Sequence, residues 1–231
     1  VSVGLSKKLG GTPESTIVGV AGKVSSAAAA FANAELIQAM DYDALLRPPG
    51  HVSPFVVSAP VALAEAVGAS GKELILANAI AHEVSTRLAV ALGATFKNPD
   101  SNARVASKRP TYAMCALGGG AASAKILKLD AERLSHAIGL SGYLCPIAVR
   151  YKWAYTPPPA WTKHAPAGWM AQAEVTAALL AEAGYVGDPS VLDGEHGFHT
   201  FINADAWEPD ALLKGLGQEW TFVRDVDYKP Y

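Results

Sequence analysis

The sequence predicts a mainly α protein, and three observations carry that prediction. Apolar residues recur at helical spacing, most clearly Leu74, Ala77, Ile80, Ala81, Val84, Leu88 and Leu92. Glycines stand just past the ends of such segments, at Gly68, Gly93, Gly184 and Gly217. Alanine and glycine fill the segments themselves, a composition suited to close helix-on-helix packing. The chain has 231 residues, 50% hydrophobic and 17% charged, which is enough for a sizeable buried core.

The elements follow in order. Ile17 to Val20 is a mostly β-branched run around Gly19, readable as a strand or an extended segment. Ser25 or Ser26 caps a helix that runs to about Met40 and ends in Asp41-Tyr42-Asp43. Arg47-Pro48-Pro49-Gly50-His51 must be loop, because two prolines and a glycine break regular structure. Helices are expected over Pro60 to Val67 and, capped by Ser70, over Gly71 to Leu92, with Glu83 and Arg87 as an i,i+4 pair on the polar side. Asn98 to Pro110 reads as irregular. Tyr112 to Leu127 reads as a small-residue helix, and Asp130 caps a helix from Ala131 to about Leu140.

Pro146 to Trp161 is loop-like. Ala167 to Ala183 is a further Ala-rich helix, Asp188 to Ser190 begins a short helical turn, and Pro209 to Leu216 is a short helix. The last segment changes character. Trp220 to Tyr228 is rich in β-branched and aromatic residues and reads as one strand, whose partners are expected in missing sequence or another chain.

The composition also excludes classes. With 19 Lys+Arg against 21 Asp+Glu, there is no basis for a nucleic-acid groove or an acidic-membrane surface. Charges and glycines interrupt the apolar stretches, so no membrane span is expected. Cys115 and Cys145 lie in apolar settings and read as buried free thiols of a reducing compartment, hence a cytoplasmic protein. No Cys/His spacing resembles a zinc site, and His196 with His199 lacks a third ligand, so no metal is expected. There is no signal-peptide pattern, and the absence of an initiator Met leads to the expectation that residues precede Val1.

Chemically useful groups gather on loops and helix ends. His51 sits in a Pro/Gly-rich loop ten residues after Asp41. It is either a general acid or base, with an ordinary pKa of about 6.5 suited to that work, or a hydrogen-bonded loop histidine. Lys163 precedes an Ala/Gly-rich helix and can bind a carboxylate or remain an exposed lysine. Arg109 offers a planar fork to an anion or is a solvated loop arginine. His82 and His136 lie within helices and read as packed or surface residues. Gly118-Gly119-Gly120 has no following Lys-Ser/Thr, so it reads as helix packing rather than a phosphate loop.

Several stretches, in order, resemble the MmgE/PrpD family. They are Ala30 to Asp43, Gly50-His51-Val52-Ser53-Pro54, Ala62 to Leu74 with Glu83-Val84 and Arg87-Leu88, Gly119 to Leu134, Trp161-Thr162-Lys163 before Gly168, Leu192-Asp193-Gly194, Gly197-Phe198 and Tyr228-Lys229-Pro230-Tyr231. The resemblance implies a helical MmgE/PrpD-like domain over residues 1–217. Residues 218–231 would then start an α+β lid that is missing or separately supplied. It further implies a homodimer, with a second chain as a possible source of the lid. The chemistry it implies is cofactor-free, on a small di- or tricarboxylate. By position, Asp41, His51 and Lys163 look catalytic, and Arg109, Lys229, Thr162 and Ser53 look substrate-binding.

The chain departs from the family pattern at several points. Ala44 and Leu45 stand where a second Asp and a Thr or Ser are usual, Arg109 replaces a histidine, Pro166 replaces a common histidine, and the loop Tyr151 to Ala160 looks longer. The expected activity is a lyase performing dehydration, hydration or decarboxylation next to a carboxylate. An isomerase or epimerase on the same scaffold, or a non-catalytic or half-site subunit, is the alternative.

Overall fold

The alanine- and glycine-rich segments fold as helices. The computed structural model describes residues 1–46, 50–93, 95–97, 104–106, 112–145, 157–158, 160–163, 166–224 and 226–229. In chain order these hold α1 (Ser2–Leu9), the pair β1 (Ser15–Thr16) and β2 (Lys23–Val24), α2 (Ser26–Ala39), the pair β3 (Leu45–Leu46) and β4 (Gly50–His51), α3 (Ser53–Val56), α4 (Ser58–Val67) and α5 (Gly71–Ala91). The pair β5 (Thr95–Lys97) and β6 (Arg104–Ala106) follows, then α6 (Met114–Ile126), α7 (Ala131–Leu144) and a 3-10 turn (Trp161–Lys163). Last come α8 (Pro166–Glu182), α9 (Phe198–Phe201), α10 (Pro209–Leu213) and β7 (Val226–Asp227). The protein is mainly α, as its periodicity predicts.

Local chemistry sets the helix starts. The Ser25 side chain accepts a bond from Ala28 N at the head of α2. Ser70 and Glu73 form a reciprocal capping box on α5, and Asp130 accepts from Arg133 N on α7.

Helix α6 is the axis of the body and packs against α4, α5, α7 and α8. Its three consecutive glycines explain how. A Cβ on Gly118 would collide with Ser85 of α5, one on Gly119 with the Glu174 carboxyl of α8, and one on Gly120 with Ser141 of α7. Three helices therefore bring polar side chains down onto the α6 backbone, where only hydrogen leaves room. Ser85 and Ser141 satisfy their hydroxyls within their own helices, donating to Ala81 O at 2.7 Å and Ala137 O at 2.8 Å. Glu174 is fully buried, and its carboxyl has no hydrogen-bond partner among the described residues. Burial pushes that carboxyl well above the usual range, so the group is held as a neutral acid. Around this axis lie Leu63, Leu88, Met114, Leu117, Ile126, Met170 and Val175, all fully buried.

Several expectations are corrected. Ile17 to Val20 is a turn, not a strand: Asn33 of α2 accepts from Val18 N and donates to Thr16 O, while Val20 N returns to Ile17 O. The extended residues lie on either side, where Ser15 pairs with Val24 and Thr16 with Lys23. Helix α1, with no capping side chain at Val1, was not foreseen. Asp188 to Ser190 forms turns without a helix, and the short helix starts at Phe198, so His196 lies outside the element that holds His199. Glu83 and Arg87 are buried rather than solvated, because they serve backbone groups of another segment.

Trp220 to Tyr228 is not one strand. Its chain turns near Phe222, and among the described residues only Val226–Asp227 is a strand, with its partner Leu45–Leu46 inside this chain. Helix α5 is long and apolar enough to cross a membrane by length and composition, but half of it is buried in the body and it carries that ion pair.

Gly119→Ala should destabilise the fold by about 1–3 kcal/mol through overpacking. Glu174→Ala should relieve the clash, leaving the double variant more stable than the summed singles by about 0.5–3 kcal/mol. Thermal or urea melts of the four proteins measure this, and strict additivity would show that the two positions do not meet.

Candidate active site

The three-stranded sheet β4-β3-β7 sits at the C-terminal end of α2 and gathers groups from distant parts of the chain. Leu45 pairs with His51 and Leu46 with Gly50, so the hairpin folds His51 back over the acidic segment that follows α2. On its other edge β3 pairs with Val226–Asp227, which delivers Lys229 to the same place.

His51 Nδ1 lies 2.7 Å from Asp43 Oδ2 and 3.7 Å from Asp41 Oδ1. An ionised carboxylate only accepts, so Nδ1 carries the hydrogen and Nε2 is the ring atom left to take or give a proton. Lys229 Nζ donates to Asp41 Oδ1 at 2.8 Å, to Asp43 Oδ1 at 3.2 Å and to the Asp41 carbonyl. All three of its hydrogens are thereby used. Asp43 is 1% exposed and Lys229 9%, so these charges meet largely out of water. Tyr112 packs edge-on to the His51 ring at 5.9 Å and stacks on Phe55 at 4.6 Å.

Two backbone positions make the arrangement possible. Asp41 has φ 57, a left-handed conformation that turns both its carbonyl and its carboxylate toward one ammonium. Gly50 has φ 115, and a Cβ there would crowd the Tyr112 hydroxyl at 3.3 Å.

Burial alone would raise Asp41. The Lys229 hydrogen bond and the charges of His51, Lys229 and Lys163 outweigh it and hold the group below its usual range. Asp43 behaves alike: burial raises it, and His51 and Lys229 more than compensate. For Lys229 burial lowers the pKa, and the two carboxylates more than reverse that.

The other expected residues fall around it. Lys163 and Thr162 are exposed in the 3-10 turn, close enough for Lys163 to act on Asp41. Gly168 N, five residues on at the start of α8, donates to Glu35 of α2 at 3.0 Å. Ser53 is engaged elsewhere. His82 donates through Nδ1 to Asn78 O at 2.7 Å, so its Nε2 accepts from the Ser53 hydroxyl at 2.9 Å. Burial lowers the pKa of His82, which favours this neutral form. Arg109 lies outside the described residues.

Sequence reasoning placed Asp41 in the site and left out Asp43, although Asp43 is the nearer partner of His51; the Asp-Tyr-Asp spacing before the loop was the available signal. Nothing local marked Tyr112 or His82. Asp41, Asp43 and His51 also present ligand atoms within 4.8 Å of one another, a set that can hold a metal ion. The Lys229 ammonium already lies within hydrogen-bond reach of both carboxylates, so a metal would have to displace it.

Comparison with known proteins agrees with this architecture. Residues 2–209 match the MmgE/PrpD N-terminal domain. Human cis-aconitate decarboxylase is 33% identical over 209 residues, covering 88% of this chain and 40% of the relative. The chain thus spans well under half the length of that relative.

The pH behaviour follows from the signs. Asp41 and Asp43 are depressed in the fold, so their stabilisation is present above the unfolded carboxyl range of about 4 and fades as pH falls through the folded values. Lys229 is raised, so its contribution holds below about 10.4 and is lost as pH climbs through the folded value. Lys229→Met should move the acid edge of stability to higher pH, read by circular dichroism during acid titration. An unchanged acid edge would contradict the ion cluster.

Proposed function

Because this chain belongs to the MmgE/PrpD family, we propose that it carries the proton-transfer part of a lyase site for a small di- or tricarboxylate. The observation that carries the reading is the Asp43–His51 pair at 2.7 Å, with Lys229 bound across both aspartates.

His51 takes a proton through Nε2 from the carbon next to a substrate carboxylate. Asp43 orients the ring through Nδ1 and balances the imidazolium that forms. Lys229 keeps Asp43 ionised and in place, and Asp41 helps to hold the Lys229 ammonium there. Carboxylate binding falls to Lys163, whose exposed ammonium is not used up by the cluster, joined by Arg109. In a dehydration the C–H electron pair becomes the double bond and hydroxide leaves. In a decarboxylation the bond to the carboxylate carbon breaks and the released pair is protonated by the imidazolium. The name of the human relative supports testing cis-aconitate first. On the same family reading the working enzyme is a homodimer.

His51→Ala should lower turnover of any accepted carboxylate by about 10²–10⁴-fold. A panel of di- and tricarboxylates, with cis-aconitate included, should raise the melting temperature of the wild type, and Lys163→Ala should weaken that rise. Near-normal turnover in the His51 variant would remove the assignment.

A further inference from the structure

The ion pair Glu83–Arg87 is almost wholly buried, its side chains 6% and 2% exposed. Among the described residues, its further side-chain bonds run to the C-terminal segment. Besides Arg87 Nε, the Glu83 carboxylate accepts from Thr221 N at 2.7 Å, Phe222 N at 3.0 Å and Thr221 Oγ1 at 3.1 Å. Arg87 donates to the carbonyls of Leu212 at 3.0 Å, Lys214 at 2.6 Å and Glu219 at 3.2 Å. One turn back on α5, the His82 ring lies 5.7 Å from Phe222. A buried ion pair gains little net stability over apolar side chains of the same volume, whereas it does demand one arrangement of the groups that satisfy it. The arrangement it demands here is the path of residues 212–222. Seven residues after Phe222 stands Lys229, the cation of the His51 cluster.

We propose that Glu83 and Arg87 are positioning residues that fix the 212–222 backbone so that Lys229 reaches Asp41 and Asp43. Between clamp and cluster, β7 also pairs with β3 over two residues. The geometry of the clamp stands by itself; only the word catalytic for the cluster rests on the proposed function.

The test therefore reads Lys229 directly and needs no substrate. Lysine acetylation by an activated ester is followed by mass spectrometry on the folded protein, with exposed Lys72 as the internal reference. In the wild type Lys229 should react far more slowly than Lys72. Glu83→Met with Arg87→Met removes both charges at similar volume and should still fold, while Lys229 labelling rises about tenfold or more as the segment opens. Arg87→Lys keeps a charge beside Glu83 and loses the fork to three carbonyls; it should give a smaller rise, and it decides the matter if the double variant does not fold. Lys229 as protected as in the wild type, in either folded variant, overturns the proposal. Deprotected Lys229 in the variants, alongside a wild type that turns over no carboxylate, would leave the clamp standing and sink the lyase reading instead.

Discussion

Helix α6 lacks side chains at three successive positions, and the body is built on that gap. Gly118, Gly119 and Gly120 let α5, α8 and α7 approach its backbone, each by one polar side chain. The approach fixes the mutual spacing of the helices, and the spacing fixes where their ends emerge. The C-terminal end of α2 and the N-terminal end of α8 meet through Glu35 and Gly168. Asp41 follows from the first and Lys163 precedes the second.

Charge is distributed by the same logic. Where helices cross, the polar groups are neutral or satisfied within their own helix, and Glu174 is held as an acid by burial. Ionised groups collect where irregular chain runs over the helices. There Glu83 and Arg87 bond each other and mostly backbone groups of residues 212–222, and Asp41, Asp43, His51 and Lys229 bond largely one another. Lys163 stays exposed, close enough to act on Asp41.

Much of the helical body was legible. Ser70 with Glu73, Asp130, and the glycines after α4 and α8 announced helix ends within a few residues, because capping is a bond between neighbours. The reading failed where a distant group overrode a local preference. Asn33 turns the β-branched run after Thr16, and Glu83 captures the amides of Thr221 and Phe222, which breaks the expected strand. In the site, Asp41 and His51 stood out by residue type, although Gly50–His51, expected as loop, is a strand paired with Leu45–Leu46, while Tyr112 and His82 carried no local mark at all.

The sequence by itself determined the mainly α body and most of its helix ends, since periodicity and capping act over a few positions. Only the tertiary structure decided which charges meet. Lys229 and Asp41 are 188 positions apart, and Arg87 and Glu219 are 132 apart. Their pairing depends on the path of the whole chain around α6. That same path made Glu83–Arg87, an ordinary surface pair by spacing, into a buried clamp, and turned Ser53 toward His82.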